Sequence, residues 1–248
     1  MSLRYHEIAE AGHRILNPIT LDKLMLLGEV CRVRTGQRHL DLCCGKGELL
    51  CQWAKAYGIT GTGVDISGYF LGEAAARAQE LGVAGALRFV RADAATYAPT
   101  DDGDDAYDIV SCIGATWIGD GLVGTLDLMR RAVHTDGLLL VGEPYWITEP
   151  PDAAYESMGV GRDQLTSLYG TLERIESTGG SLVEMVLADG DSWDRYVAPQ
   201  WWTITQWLAA NPDDPDAEAM REFLDLARRS HLAYGRQYLG WGVFVVRP

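Results

Sequence analysis

Two aspartates and two glycines are spaced along this chain as a nucleotide-binding turn requires. Asp41 lies in a short apolar run, Gly45 and Gly47 follow it, and Asp65 ends the next apolar run. Glycines between a strand and a helix let the backbone approach a ligand, and a carboxylate ending the following strand accepts hydrogen bonds from ribose hydroxyls. The pattern therefore predicts a site for a cofactor that contains adenosine.

The turn departs from the pattern of dinucleotide-binding proteins. That pattern is Gly-x-Gly-x-x-Gly, and Leu50 stands where its third glycine would lie. The third glycine permits close packing of the helix on the strand. NAD is for that reason the less favoured of the adenosine-containing cofactors.

Length and charge limit the classes of partner. The 248 residues are 47% hydrophobic, which is enough for one large domain or one domain with an inserted cap. The net charge is −14, from 21 basic and 35 acidic residues without a Lys/Arg cluster. Such a surface repels phosphate backbones and anionic lipids, so neither nucleic acid nor a membrane is the predicted partner. No secretory pattern or bilayer-spanning run of about 20 apolar residues occurs, and we expect a cytoplasmic protein.

The cysteines and the densest acidic cluster do not predict a metal site. The five cysteines are an odd number, lie mostly in predicted core elements, and are expected to be reduced. Cys43 and Cys44 are adjacent rather than spaced as Cys-x-x-Cys. The segment 101–105 carries four aspartates and is interpreted as a solvated turn, with a cation site as the less favoured alternative.

Strands and helices alternate along most of the chain. Apolar runs predict strands at 38–43, 60–65, 86–91, 107–113, 137–142, 181–187 and 241–246. Helical spacing predicts helices at 3–16, 20–33, 47–57, 67–81, 121–134, 161–178 and 192–237, the last broken at 211–215. Thr20 and Ser67 are placed to cap two of these helices. The alternation indicates a doubly wound α/β fold with helices on both faces of the sheet.

With these elements in order, the chain resembles the class I S-adenosylmethionine-dependent methyltransferases. Five pieces match the family's motifs in the right sequence, and they lie at 41–47 (Asp-Leu-Cys-Cys-Gly-Lys-Gly), 63–67 (Gly-Val-Asp-Ile-Ser), 91–94 (Arg-Ala-Asp-Ala), 107–113 (Tyr-Asp-Ile-Val-Ser-Cys-Ile) and 137–142 (Gly-Leu-Leu-Leu-Val-Gly). One departure is Cys43, which stands where the family has the first glycine of the turn. A cysteine there must tolerate the backbone conformation of the turn.

The resemblance implies a Rossmann-like seven-stranded sheet whose last strand is antiparallel and enters between two others. It divides the chain into an N-terminal helical segment (1–36), a cofactor-binding α/β core (37–191), a helical cap (192–237) and the last strand (238–248). The implied cofactor is S-adenosyl-L-methionine. The sequence sets no oligomeric state.

The resemblance also implies which residues would hold the cofactor. Asp41 would reach toward its ammonium group, Asp65 would bind the ribose, and Ile66 would pack on the adenine face. The alternative for Asp41 is a turn cap, and for Asp93 a helix N-cap. The full predicted set is Asp41, Cys43, Gly45, Gly47, Asp65, Ile66, Asp93, Ala94 and Ile113.

Residues for the methyl acceptor are expected where the fourth and fifth strands end, because ligands of open α/β sheets bind beyond the carboxyl ends of the strands. Glu143 would be a general base, a partner for a cationic acceptor, or only an anchor for a loop or an N-terminal helix. His6 and His13 share a face of the first predicted helix, and either is a base or a surface residue. The predicted catalytic residues are Glu143, His6 and Tyr145. The predicted acceptor-binding residues are Trp117, Trp146, Tyr196 and Trp202, with Trp193, Trp201 and His231 as further candidates.

We expect methyl transfer to an O, N or C nucleophile of a small molecule. The family's Asp/Asn-Pro-Pro-Tyr/Phe signature, common where planar amides or base amines are methylated, is absent after the fourth strand, where the sequence 113–117 is Ile-Gly-Ala-Thr-Trp. Two alternatives stay open. One is a protein methyltransferase with an acidic groove, and the other is a non-catalytic protein that binds S-adenosylmethionine.

Overall fold

A computed structural model describes residues 2–97 and 106–248. The predicted acidic turn at 101–105 lies outside the described residues. No helix in the described part of the chain is both long enough and apolar enough to cross a membrane. Those same two ranges hold no group of three His, Cys, Asp or Glu side chains arranged to bind a metal ion.

The seven predicted strands form one sheet in the order β3-β2-β1-β4-β5-β7-β6. They are β1 (Arg38–Leu42), β2 (Thr60–Asp65), β3 (Leu87–Arg91), β4 (Tyr107–Ile113), β5 (Val133–Trp146), β6 (Ser181–Leu187) and β7 (Leu239–Arg247). β7 runs antiparallel to both of its neighbours, β5 and β6, whereas the other pairs are parallel. The predicted Rossmann-like methyltransferase sheet is confirmed.

Ten α-helical segments surround the sheet in the described ranges. They are α1 (Leu3–Ala9), α2 (Leu21–Val30), α3 (Glu48–Tyr57), α4 (Gly68–Glu80), α5 (Leu122–Arg130), α6 (Asp152–Met158), α7 (Leu168–Ser177), α8 (Gly190–Ala210), α9 (Ala217–Ser230) and α10 (Arg236–Tyr238). A π-helical turn, His231–Gly235, joins α9 to α10. Thr20 and Ser67 cap α2 and α4 as predicted, each accepting a backbone N–H three residues on.

The predicted helix at 3–16 is wrong beyond Ala9. The chain leaves the helix at Glu10 and turns, and the carbonyls at 10, 11 and 13 accept hydrogen bonds from a distant lysine instead of continuing the helical ladder. A long-range donor has overridden local helix propensity here. The predicted start of a helix at 161 is also wrong, because α7 begins at Leu168 and the separate helix α6 was not predicted.

The predicted helix at 121–134 is too long, and the predicted strand at 137–142 too short. α5 ends at Arg130, and Val133 already pairs with Tyr107 of β4. The next pair is Ile109 with Leu138, so the register shifts between Tyr107 and Ile109, and β5 has extra residues there that β4 does not match. At its other end β5 continues past β4 to Trp146, since β7 still pairs with it there.

Both faces of the sheet are buried, and β5 shows why its sequence is continuously apolar. Leu139 and Val141 join the core under α5 and α7, whereas Leu140 joins the core under α2 and α3. Alternate side chains of a strand point to opposite faces. A strand covered on both sides therefore needs apolar residues at every position.

A smaller third core holds the helical cap together. Ala9 of α1 packs with Ile204 of α8 and with Met220 and Leu224 of α9. The N-terminal helix thus packs on the two long helices of the predicted cap. This arrangement brings the N-terminal segment to the carboxyl edge of the sheet.

Candidate active site

The turn after β1 has three residues in the left-handed backbone region. Cys43, Gly45 and Gly47 have φ values of 58°, 53° and 66°, and Gly47 is the cap of α3. Glycine adopts this region without cost, whereas a residue with a Cβ loses roughly 1–2 kcal/mol there. Cys43 adopts this left-handed conformation, as the family resemblance requires of the residue at this position. Its side chain packs against the core cluster beneath the sheet edge.

Asp65 is joined to this turn by a direct hydrogen bond. Its Oδ2 accepts the backbone N–H of Gly45 at 2.8 Å, and its Oδ1 accepts that of Ser67 at 2.8 Å. The side chain is buried. Each carboxylate oxygen can accept two hydrogen bonds, so both oxygens keep one acceptor position. A pair of vicinal hydroxyls is the kind of ligand that fits two such positions.

Asp41 lies beneath the turn in a buried hydrogen-bonded chain. Ser111 on β4 donates to Asp41 Oδ1 at 2.5 Å, and Nε2 of His39 is 2.8 Å from the same hydroxyl. Burial raises the pKa of Asp41 to about 7 despite the serine hydrogen bond, and the nearby Asp65 charge adds to the rise. Burial lowers the pKa of His39 to about 3. A neutral His39 with its proton on Nε2 completes the chain from His39 through Ser111 to Asp41.

The ends of β2 and β3 form the side of the site where adenine is expected. The N–H of Ala92 donates to the carbonyl of Asp65, which places Ile66 and Asp93 at neighbouring strand ends. Ile66 is 57% exposed, so an apolar surface is available to a flat ligand. Asp93 accepts the N–H of Ala95 at 2.9 Å within a turn, and no helix begins there, so the alternative of a helix cap is wrong. Ala94 is buried beside it.

Lys46 connects this turn to the N-terminal segment. It lies between the two glycines, is 2% exposed, and donates to the carbonyls of Glu10, Ala11 and His13 at 2.9, 3.0 and 2.7 Å. Burial lowers the pKa of Lys46. All three of its N–H groups are therefore used to hold residues 10–13 against the cofactor turn.

The following residues of the N-terminal segment lie over the same edge. A Cβ on Gly45 would be 2.7 Å from Leu16 Cδ1, and one on Gly114, after β4, would be 2.2 Å from Asn17 Oδ1. Residues 16 and 17 thus press on the loops that follow β1 and β4. We call residues 10–17 the roof, because they cover the carboxyl edge of the sheet at the predicted cofactor turn.

Replacing Lys46 by methionine should release the roof. Methionine is unbranched and only one heavy atom shorter than lysine, but it leaves three carbonyls without their donor, and we expect a loss of about 1–3 kcal/mol in the free energy of unfolding. Amide hydrogen exchange should accelerate at residues 10–17. Replacing the exposed Lys55 of α3 by methionine is the control. Unchanged exchange in the Lys46 variant would contradict the role given to this lysine.

Glu143 and Thr116 meet where β5 passes the end of β4. Glu143 is 4% exposed, and its Oε2 accepts the Thr116 hydroxyl at 2.6 Å. Burial raises the pKa of Glu143 to about 7, although the Thr116 hydrogen bond and the charge of Arg174 oppose the rise. A carboxyl group that titrates near neutrality can exchange a proton with a bound ligand.

Two other predicted catalytic residues lie in different surroundings. Tyr145 is buried on the same face of β5 as Glu143, its ring packs directly over Gly240 of β7, and burial raises its pKa. His6 packs edge-on against Phe70 of α4, with 5.4 Å between the ring centroids. His6 is thus beside the helix that follows Asp65 and not beside Glu143.

The four predicted acceptor-binding aromatics are not gathered in one place. Trp117 and Trp202 are 72% and 68% exposed. Trp146 is buried, packs edge-on against Tyr155 at 5.3 Å, and lines a cavity of about 390 Å³ with Arg162. Only Tyr196, among these four, reaches the roof.

Tyr196 binds Glu10, a buried residue that was not predicted from the sequence as part of the site. Its hydroxyl donates to Glu10 Oε1 at 2.8 Å, and Gln200 Nε2 donates to the same oxygen at 3.0 Å. Burial raises the pKa of Tyr196 well above its usual value. Glu10 is 1% exposed. No local signal marks it, since its partners on α8 are nearly two hundred positions away along the chain.

Known proteins are similar to this chain in both fold and sequence. A family model described as a methyltransferase domain matches residues 40–137. A SAM-dependent methyltransferase from Geobacter sulfurreducens, solved in complex with S-adenosyl-L-homocysteine, is 43% identical, with 100% of this chain and 98% of that chain covered and a TM-score of 0.94. A second one from Thiobacillus denitrificans, in the same complex, is 42% identical over 99% and 98% of the chains, with a TM-score of 0.93.

A third relative is YjhP from Escherichia coli. It is 42% identical over 98% of this chain and 97% of its own length. Its X-ray structure gives a TM-score of 0.94. The chain therefore belongs to the S-adenosylmethionine-dependent methyltransferases. The predicted family, its enzymatic class and its cofactor, S-adenosylmethionine, are confirmed.

Proposed function

We propose that this enzyme methylates a small molecule that is enclosed between the sheet edge and the roof. The observation that carries the proposal is the contact of residues 10–17 with the loops after β1 and β4, fixed by Lys46. A site covered in this way favours a compact acceptor over a folded protein or a duplex nucleic acid. The net charge of −14 supports the same choice against nucleic acid.

The residues of the β1 turn fit the cofactor. Asp65 keeps two acceptor positions for the ribose hydroxyls, and Ile66 offers an exposed apolar face for the adenine. Asp41 is fixed from below by Ser111, with its second oxygen available to the cofactor's ammonium. Cys43, Gly45 and Gly47 supply the left-handed turn that lets the backbone come close. Asp93, Ala94 and Ile113, at the adjacent strand ends, are proposed as further residues that contact the cofactor.

In the proposed mechanism Glu143 is the general base. Bound S-adenosylmethionine supplies a methyl group activated by the positive sulfur. Thr116 binds Glu143 Oε2 and fixes the carboxyl group, while Oε1 accepts no hydrogen bond from the described residues and can take the acceptor's proton. The roof excludes water and holds the acceptor in line for the transfer, which lowers the entropic part of the barrier.

Methyl transfer from radiolabelled S-adenosylmethionine tests the proposal. The enzyme is incubated with a desalted protein extract and, separately, with the small-molecule fraction of the same cells. We expect label only in the small-molecule fraction. Label in the protein fraction would support the alternative protein methyltransferase. Label in neither fraction, with tight cofactor binding, would support the non-catalytic alternative.

A reducing, cytoplasmic location stays part of the proposal. It is supported by the five cysteines, all of which are free thiols. Of these, Cys31, Cys51 and Cys112 are buried in the core. Such thiols behave as small apolar residues rather than as halves of disulfides.

A further inference from the structure

The junction between the roof and α8 holds an unusual number of buried polar atoms without hydrogen bonds. Seven such side-chain atoms occur among the described residues, and five of them lie here: Glu10 Oε2, Nδ1 and Nε2 of His13, and Nε1 of Trp193 and Trp201. Two of the five, Glu10 Oε2 and His13 Nδ1, lie 2.8 Å apart and form an ion pair when the ring is protonated, so three N–H groups remain without any partner in the described part of the chain. Buried polar groups are nearly always paired. Their concentration at one place points to a ligand that supplies the missing partners.

Side chains of α8 form one side of this junction. Trp193, Tyr196 and Gln200 are separated by three and four residues, so they share a face of the helix, whereas Trp201 lies about 100° further around the axis than Gln200. The His13 ring lies 5.5 Å from that of Tyr196, and the Trp193 ring 6.3 Å from it. Aromatic faces therefore line one side of the cluster.

The π-helical turn His231–Gly235 contributes a histidine to the same junction, beside Trp193 and Trp201. It places the buried His231 6.5 Å from the ring of Trp193 and 6.0 Å from that of Trp201. Its Nε2 is 3.1 Å from Asp194 Oδ1, which fixes the ring. π-helical turns inside helices occur frequently at functional sites.

The charge at the centre of the junction is that of Glu10. Tyr196 and Gln200 supply neutral hydrogen bonds to its Oε1. Lys46 spends all three N–H groups on carbonyls and none on this carboxylate. His13 Nδ1 lies 2.8 Å from Oε2 without the alignment of a hydrogen bond. His13 and the charge of Lys46 therefore already flank this buried carboxylate, and a cationic or strongly donating ligand would complete its pairing.

We propose that this junction, hereafter the Glu10 site, binds a positively charged nitrogen of the methyl acceptor. The ligand class is a compact amine or quaternary ammonium compound that also carries a hydroxyl or carboxylate. Glu10 would balance the positive charge, the ring faces would surround it, and the indole N–H groups of Trp193 and Trp201 would donate to the ligand's oxygen. The proposal rests on the proposed function for the identity of the ligand as the acceptor, but its binding test does not require turnover.

The test compares two probes of the same shape that differ in charge. Choline carries a quaternary nitrogen where 3,3-dimethylbutan-1-ol carries a carbon. Each is titrated into the full-length enzyme in the presence of S-adenosylhomocysteine, and the indole N–H signals of Trp193 and Trp201 are followed by NMR after assignment with Trp193→Phe and Trp201→Phe. We expect choline to bind at least tenfold more tightly and to shift both signals. Equal affinity of the two probes would overturn the proposal.

Glu10→Gln supplies the charge-specific comparison. It keeps the shape of the side chain and its hydrogen-bonding length, and we expect the preference for choline to fall to less than threefold. The control is Glu7→Gln, which removes the same charge from α1 but from a carboxylate bonded to Ser67. An equal loss in both variants would mean a general surface effect and would overturn the site. If Glu10→Gln does not fold, the wild-type comparison of the two probes decides alone.

The outcomes separate this proposal from the proposed function. Choline preference that depends on Glu10, without label in any small molecule, would retain the Glu10 site and reject the small-molecule methyltransferase. Label in a small molecule that has no positively charged nitrogen, at a rate unchanged by Glu10→Gln, would retain the function and reject the Glu10 site. Label in an amine, reduced at least tenfold in kcat/KM by Glu10→Gln, supports both.

Discussion

Glu143→Gln should lower kcat for the methyl acceptor by about 10²–10⁴, the range that a positioned general base contributes. Glutamine has the same shape, and its carbonyl can still accept the hydroxyl of Thr116, so the site should keep its geometry. Cofactor affinity should be unchanged. The measurement is single-turnover methyl transfer at saturating S-adenosylmethionine. The control is Glu149→Gln, which alters an exposed glutamate that also accepts a tyrosine hydroxyl. A variant as fast as the wild type would exclude Glu143 as the base.

The pH dependence of the same residue has a definite sign. A base must be deprotonated, so kcat/KM should rise with pH and level off above about 7, the raised pKa of Glu143. Stability should change in the opposite direction. Between the usual value of 4.5 and about 7, the unfolded chain ionises while the folded one keeps its proton, so the free energy of unfolding falls as pH rises through this window.

The size of that fall follows from the pKa difference. Raising a buried carboxyl from 4.5 to about 7 corresponds to a loss of about 3 kcal/mol between pH 4 and pH 8. Asp41, whose pKa is also raised to about 7, contributes in the same window, so the useful quantity is the difference between wild type and Glu143→Gln. Denaturant unfolding at several pH values should show the wild type losing stability relative to Glu143→Gln as the pH rises. A constant difference would contradict the titration assigned to Glu143.

Asp65→Ala should damage both cofactor binding and folding. The loss of the ribose partner should weaken S-adenosylhomocysteine binding about 10- to 100-fold, equivalent to about 1–3 kcal/mol. The backbone N–H groups of Gly45 and Ser67 lose their acceptor as well, so the free energy of unfolding should fall by about 1–3 kcal/mol more. Calorimetric titration and denaturant unfolding measure the two effects separately.

Asp93→Ala is the matched control for Asp65. Asp93 is an exposed aspartate at the end of the neighbouring strand, and its side chain accepts one hydrogen bond within a turn. We expect little change in stability and a smaller loss of cofactor affinity. Equal effects of the two substitutions would contradict the central role given to Asp65.

The sheet could be predicted from the sequence because its signals are local. β2, β4 and β6 begin and end at the predicted residues, and the sequences of β4 and β6 are mainly apolar. The errors lie where a distant partner decides the structure. Val133 becomes a strand residue because it pairs with Tyr107 across the sheet, and the helix stops after Ala9 because Lys46 takes the carbonyls that follow.

Some residues of the candidate site could likewise be predicted from the sequence, and others could not. Gly45, Gly47 and Asp65 are recognisable because their spacing along the chain is the signal. Glu10 is not, because its role depends on Tyr196 and Gln200, which only the folded cap brings to it. The aromatic character of a residue also does not predict whether it lies at the site. Trp117 and Trp202 have the same side chain as Trp193 but lie on the surface.

The position of β7 has a consequence for the order in which the molecule can assemble. Among the strands of the described residues, β6 pairs only with β7, and β7 also pairs with β5, so β5 and β6 are not neighbours. When residues 181–187 leave the ribosome, their inner edge has no partner until 239–247 arrive, after the whole helical cap has been synthesised. Contacts between such separated segments form slowly. The cap must therefore emerge as a loop from an unfinished sheet, and closure of the sheet and seating of the cap are one late step of folding.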